Sequence, residues 1–141
     1  MLMFLDGEWN GYRGTLISLA LVTVDDQEWY ETLACMFPDP WVEQHVIPNL
    51  QRAPVTYEEM QASLARFLGR FEGVDIIADW PEDIQRFCET LVTGPGQRLL
   101  TAQNERGTRT KEFDDAVARF RVMLLCDEVA IMDHGKILEM D

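Results

Sequence analysis

Basic residues are few in this sequence. Twelve Lys and Arg stand against twenty-five Asp and Glu, for a net charge of −13. A protein that holds nucleic acid by broad electrostatic attraction carries the opposite sign, so that mode of binding is excluded. A site for divalent cations is not, because clustered carboxylates coexist only when positive charge is brought to them. Cysteine is also scarce. Cys35, Cys88 and Cys126 are far apart, lie in apolar contexts and lack zinc spacing, so neither a zinc site nor a disulfide framework is expected. A reducing cytoplasm is the compartment this implies. No run of about 18 apolar residues exists, which argues against a membrane span, and the start lacks the basic and small-residue signature of a signal peptide. There is no repeat, low-complexity stretch or linker, and 141 residues read as a single domain, 1–141.

What is present is enough apolar material, 47%, for a real core. Residues 1–5 read as a short buried strand. The apolar run "TLISLALVTV", 15–24, reads as a central strand. "DD" at 25–26 is a turn signal, and 28–37 reads as the return strand of a meander. Four prolines make 38–55 a loop, with one short helix at 41–46. Thr56 and Glu59 have capping-box spacing. Met60, Leu64, Phe67, Leu68 and Phe71 form one apolar stripe, which predicts a helix over 56–71 ended by Gly73. "VDIIAD", 74–79, is a strand. "WPEDIQRFCETLV" is a helix with Ile84, Phe87, Cys88 and Leu91 on one face. "QRLLT" after the turn at 94–96 reads as a fifth strand, 102–112 as a polar loop, and Phe113, Val117, Phe120 and Leu124 as a third helix. The tail reads as a hairpin turning at His134-Gly135. The order β-β-β-α-β-α-β-α predicts an α/β fold, a mixed sheet flanked by helices.

Three groups of acids lie at strand ends or helix starts. Asp6 and Glu8 are two apart, so on a strand they face the same way; a solvated turn is the bland alternative. Asp79 ends a strand, where it is well placed to N-cap the next helix, with Glu82 three residues on. Asp83 lies in that helix's first turn, where any acid gains from the helix dipole. Asp114 and Asp115 open the last long helix under the same alternative. Taken together, they stand where α/β sheets build sites. Several carboxylates on one sheet edge would suit two Mg²⁺ or Mn²⁺ ions, the arrangement that stabilises attacking and leaving oxygens in phosphodiester cleavage.

The motif "FLDGEWNGYRGTLISLALV" resembles the first motif of the ribonuclease H-like 3′–5′ exonucleases with four acidic metal ligands. "PWVEQHVIPNL" resembles the corresponding loop of their ribonuclease T-like branch. The resemblance implies a ribonuclease H-like mixed sheet and makes Asp6 and Glu8 metal ligands. In the second motif, an Asn and an Asp four apart, Asp79 falls at the Asn and Asp83 at the Asp; Asp83 is favoured as ligand, with Asp79 as neighbour or substitute. Asp115 falls at the Asp of the third motif. The implied activity is divalent-metal-dependent 3′–5′ hydrolysis of single-stranded RNA or DNA ends.

One position departs from the pattern. The family's general base is a His five residues before the last Asp, and here that residue is Thr110; a sister branch's Tyr position holds Lys111. Thr is not basic and Lys is normally charged. His45 and His134 read as surface residues. Arg98, Arg106, Arg109 and Lys111 form a basic segment suited to substrate phosphates, with an ordinary exposed loop as the alternative. Trp9 and Tyr12 are placed to stack on a terminal base, Trp9 alternatively closing the core. "LCDEVAIMDHGKIL" looks locally like a hairpin of ABC-type ATPase domains, but the chain has no phosphate-cradling G-x-x-x-x-G-K-[ST]. The rival expectation is a binding or regulatory module that kept the fold and lost the chemistry. A homodimer through the terminal hairpin is a further expectation.

Overall fold

The computed structural model describes residues 1–99 and, beyond them, the backbone of three strands at 121–125, 129–133 and 136–140. The loop 102–112, the start of the expected third helix, Asp114, Asp115 and the turn at His134-Gly135 lie outside the described residues. The architecture is mixed α/β. One seven-stranded sheet has the order β3 (Glu28–Thr32), β2 (Leu16–Thr23), β1 (Leu2–Trp9), β4 (Asp75–Ala78), β7 (Arg121–Leu125), β8 (Val129–Asp133), β9 (Lys136–Met140).

Strands β1 (Leu2–Trp9), β2 (Leu16–Thr23) and β3 (Glu28–Thr32) make the antiparallel meander. β1 runs past residue 5 because its acidic end keeps pairing, with Asp6 opposite Ala20 and Glu8 opposite Ser18. β3 stops at Thr32, short of the expected residue 37, and Leu33 makes only an isolated bridge to Val55. The turn between β2 and β3 carries Asp26 at φ 61°, and the Thr23 hydroxyl donates to Asp25 and accepts from the Gln27 amide.

Helix α1 (Pro40–His45) forms as expected, N-capped by the Asp39 side chain, which accepts from the Trp41 amide at 3.0 Å. A single 3₁₀ turn follows at Ile47–Asn49. Helix α2 (Tyr57–Leu68) has the full capping box: the Glu59 amide donates to Thr56 Oγ1 at 3.2 Å and the Thr56 amide to Glu59 Oε2 at 2.8 Å. It ends at Leu68, capped at Gly69, before Phe71 and Gly73.

Strand β4 (Asp75–Ala78) pairs parallel with β1, and helix α3 (Pro81–Thr90) packs back on both. After it, β5 (Val92–Gly94) and β6 (Gln97–Arg98) form a separate two-stranded hairpin. "QRLLT" is therefore not the next strand of the main sheet. That place goes to β7 (Arg121–Leu125), parallel to β4 with Leu124 opposite Ala78. Leu124 thus belongs to a strand, not a helix. A short continuous apolar run such as "VMLL" is ambiguous by periodicity alone, and pairing with β4 decides it. β8 (Val129–Asp133) and β9 (Lys136–Met140) complete the expected terminal hairpin.

The main core lies between one sheet face and α2 and α3. Met3 and Leu5 of β1, Leu19 and Leu21 of β2, Trp29, Ile76 and Ala78 meet Met60, Leu64, Phe67 and Phe87. Leu5, Leu19 and Ile76 alternate with residues of the other face, so Phe4, Asp6 and Glu8 point away from these helices. A second, small cluster of Ile17, Val42 and Val46 fastens α1. Trp29 Nε1 donates to Ser63 Oγ at 2.9 Å, and Ser63 donates to Glu31 at 2.8 Å, so the buried Glu31 is satisfied with help from Arg52. Among the described residues no helix is long and apolar enough to cross a membrane. Cys35 and Cys88 are free thiols.

Candidate metal centre

The site begins with the alternation of β1. Phe4, Asp6 and Glu8 are exposed while Met3 and Leu5 are buried, so the two carboxylates share the open sheet face. The parallel register sets Phe4 opposite Ile77 of β4. Two residues further along both chains, Asp79 continues past β4 as Asp6 continues along β1. Charge coupling between Asp6 and Asp79 agrees with this placement.

Asp79 does not cap the helix, contrary to the local reading. Trp80 holds the N-cap position, with no side-chain capping bond, and Pro81 opens α3. Proline at the first helical position needs no amide partner and presets the helical φ.

Asp83 arrives from the helix layer. The buried stripe of α3 is Asp83, Phe87 and Thr90, spaced i, i+4, i+7, so an acid heads the inward face. Cys88, expected on that face, is exposed. Asp83 is 1% exposed, and its Oδ1 is buried without a hydrogen-bond partner. Gly7, between the two strand acids, makes room for it. A Cβ at Gly7 would stand 3.3 Å from Asp83 Oδ1 and 3.2 Å from Leu19 Cδ1. This is the physical content of acid-Gly-acid: the flanking residues turn outward, and the missing side chain between them lets a third carboxylate approach from behind.

The electrostatics follow from the geometry. Burial pushes the Asp83 carboxyl up to about 7, and the charges of Asp6, Asp79 and Glu8 add to the rise, while the Gly7 backbone amide partly opposes it. Desolvation raises Asp6, with Asp79 adding to the effect and the Gly7 amide opposing it. Glu8 is raised by desolvation and then by the charge of Asp6. Four acids thus repel one another at one sheet edge, and the one with least access to water is the most strained.

Other expected residues fall as follows. Trp9 ends β1 and is half-buried; Tyr12, in the following turn, is 85% exposed with the Arg13 guanidinium 5.1 Å from its ring centroid. Asp115, Thr110, Arg109 and Lys111 lie outside the described residues. A depression of about 450 Å³ opens beside the acids, lined by Asp6 and Glu8 together with Ser18, Tyr30, His45 and Asn49. Sequence reasoning did not single out Tyr30 or Asn49, and their alternation and loop positions offered no signal. Among the described residues no three His, Cys, Asp or Glu side chains already converge as a ready-made ion cage. The donor set is nevertheless suited to a hard divalent cation: carboxylate oxygens alone, one of them buried and unpartnered. No protein-family model matches this chain, and no curated protein does either.

Proposed function

We propose that the chain is a divalent-metal-dependent 3′–5′ exonuclease acting on single-stranded RNA or DNA ends. Asp83 carries the reading. A buried carboxylate with one oxygen left without a hydrogen-bond partner, beside three other acids, is costly to the fold, and a cation is what makes such a cluster favourable. Asp6 and Glu8 would hold Mg²⁺ or Mn²⁺ on the open face, with Asp83 reaching toward the ion past Gly7, Asp79 as neighbour or substitute and Asp115 as the fourth ligand. When bound, two such ions supply an activated water and charge stabilisation at the leaving oxygen.

The chain's own residues do the remainder. Asp6 and Glu8, exposed on the open face, define the edge that the scissile phosphate approaches. The exposed Tyr12 and the neighbouring Trp9 would stack on the terminal base, and Arg109 and Lys111 would grip phosphates. Neutralisation by metal and by these few cations lets a chain of net charge −13 accept a strand end without a broad basic surface. The sheet order supports a ribonuclease H-like fold: an antiparallel meander continued from β1 by the parallel strands β4 and β7. A homodimer in this reading would use the edge strand β9.

The test uses a 5′-labelled single strand with Mg²⁺ or Mn²⁺. Stepwise shortening that disappears in Asp6→Asn is the expected result. Melting temperatures with and without Mn²⁺ accompany it, since a ligand of the folded state raises the melting point. A metal-dependent rise without shortening would replace the enzyme by a binding or regulatory module of the same fold. Neither effect would end the proposal.

A further inference from the structure

Arg86 stands one turn beyond Asp83 on α3, and its side chain is mostly buried. The guanidinium serves three acceptors at once: Glu82 Oε1 at 3.0 Å, Glu89 Oε2 at 3.2 Å and, across the fold, the Gly14 carbonyl at 2.6 Å. Gly14 closes the turn that leaves the acidic strand. Gly11 in that turn lies at φ 66° and Arg13 at φ 55°, the second a conformation that an L side chain keeps only when its surroundings impose it. A Cβ at Gly14 would stand 1.7 Å from the Asn10 carbonyl oxygen, so the chain folds over itself where no other residue fits. The turn is pinned on both flanks. Asn10 accepts from the Asp39 amide at 2.6 Å and donates to the Phe37 carbonyl at 2.8 Å, and Arg86 holds the other end. Between the pins stands the exposed Tyr12, with the Arg13 guanidinium 5.1 Å from its ring centroid.

Resting on the exonuclease reading above, we propose that Arg86 is a positioning residue: it ties the turn carrying Tyr12 to the helix carrying Asp83, and so holds the base-stacking ring in register with the acids. The helix end of this tether is fixed in turn. Asp83 Oδ1 lies 3.3 Å from the point where a Cβ at Gly7 would stand, so α3 is seated on β1 at one end and bonded to the turn after β1 at the other. An ion pair would be complete with Glu82 and Glu89. The bond to a main-chain carbonyl seventy-two positions away adds nothing to charge balance and serves position. Arginine suits the task, because its planar fork offers several N–H groups in set directions where lysine offers one compact charge. The same pairing keeps the cation of α3 away from the acids. The charges acting on Asp83 are those of Asp6, Asp79 and Glu8, while that of Arg86 is taken up by its two glutamates.

Arg86→Met, Tyr12→Ala and the double variant are compared with the wild type on a 5′-labelled strand in Mn²⁺. Tyr12→Ala should raise KM about 5–150-fold with kcat little changed, the loss of one base stack. Arg86→Met should raise KM about 3–50-fold, and the double variant should match Tyr12→Ala, because Arg86 acts through that ring. Arg86→Lys keeps the charge against Glu82 and Glu89, should still raise KM, and carries the comparison if Arg86→Met does not fold. In the metal-free protein, the hydrogen-bonded amides of Asn10 and Gly14 should exchange faster in Arg86→Met while α2 stays protected. The Mn²⁺-dependent rise in melting temperature should be unchanged. Wild-type KM in Arg86→Met or in Tyr12→Ala, an equal effect of Arg86→Met with and without Tyr12, or unchanged exchange at Asn10 and Gly14 overturns the inference alone. Loss of the Mn²⁺-dependent melting shift also overturns it, by making Arg86 a support of the acids. A wild type that shortens no strand removes the exonuclease reading and this inference with it.

Discussion

Replacing Asp83 by asparagine should stabilise the metal-free protein above neutral pH. The carboxyl lies at about 7 when folded against an ordinary 3.8, so between these values the folded state binds more protons than the unfolded state. Stability then falls as pH rises through this window and levels off above the folded value. Each decade of proton affinity is worth about 1.4 kcal/mol, which puts the full penalty on the order of 4 kcal/mol. That figure is a ceiling, because Asp6 and Glu8 reach solvent and water screens their charges. Asn also forgoes about 0.3–1 kcal/mol of helix-dipole stabilisation in the first turn of α3. The net expectation is a gain of roughly 2–3 kcal/mol at pH 8, or some 5–10 °C in Tm, shrinking to about 1 kcal/mol near pH 5. Urea unfolding of both proteins in EDTA at the two pH values measures it. Equal pH dependence of the two proteins, or an Asn variant that is less stable at pH 8, would refute the assignment of Asp83 as a strained buried acid.

Three further outcomes follow from named contacts. Gly7→Ala places a Cβ 3.2–3.3 Å from Leu19 Cδ1 and Asp83 Oδ1. It should cost about 1–3 kcal/mol by overpacking and weaken Mn²⁺-dependent stabilisation; urea titration with and without Mn²⁺ separates the two effects. Asn10→Ala removes both latches between β1 and α1. About 1 kcal/mol should be lost for each bond, and amide hydrogen exchange should quicken across Pro40–His45 while α2 stays protected. Thr56→Ala breaks the capping box of α2 and should lower stability by about 1 kcal/mol with no change in metal response, as thermal melting would show.

Much of the frame was legible before any coordinates. The meander, the short helix before the 3₁₀ turn and the capping-box helix each depend on residues within a few positions of one another. Alternation, apolar stripes and turn chemistry register such short-range constraints directly. That Asp6 and Glu8 share a strand face followed in the same way, from their spacing of two. Boundaries were less legible: β3 stops at Thr32 and α2 at Leu68, where pairing partners and packing surface end.

Other features depended on what meets across the fold. Gln97–Arg98 of the expected fifth strand do form a strand, but they pair with β5, and β7 takes the position beside β4. Asp79 failed as a cap because Pro81 starts α3 and places Trp80 at the boundary. Asp83 shows the division most clearly. Its sequence neighbourhood marks it as an ordinary first-turn acid, at home in water. Only the parallel pairing of β1 with β4, and the packing of α3 on both, bring it against a glycine seventy-six positions earlier. The sequence by itself determined the meander, the two helices before β4, β4 and α3, and that acids sit near the ends of such elements, but not that Leu124 lies in a strand. Tertiary structure alone decided which acid loses its water, because desolvation is set by neighbours in space, and those neighbours are distant along the chain.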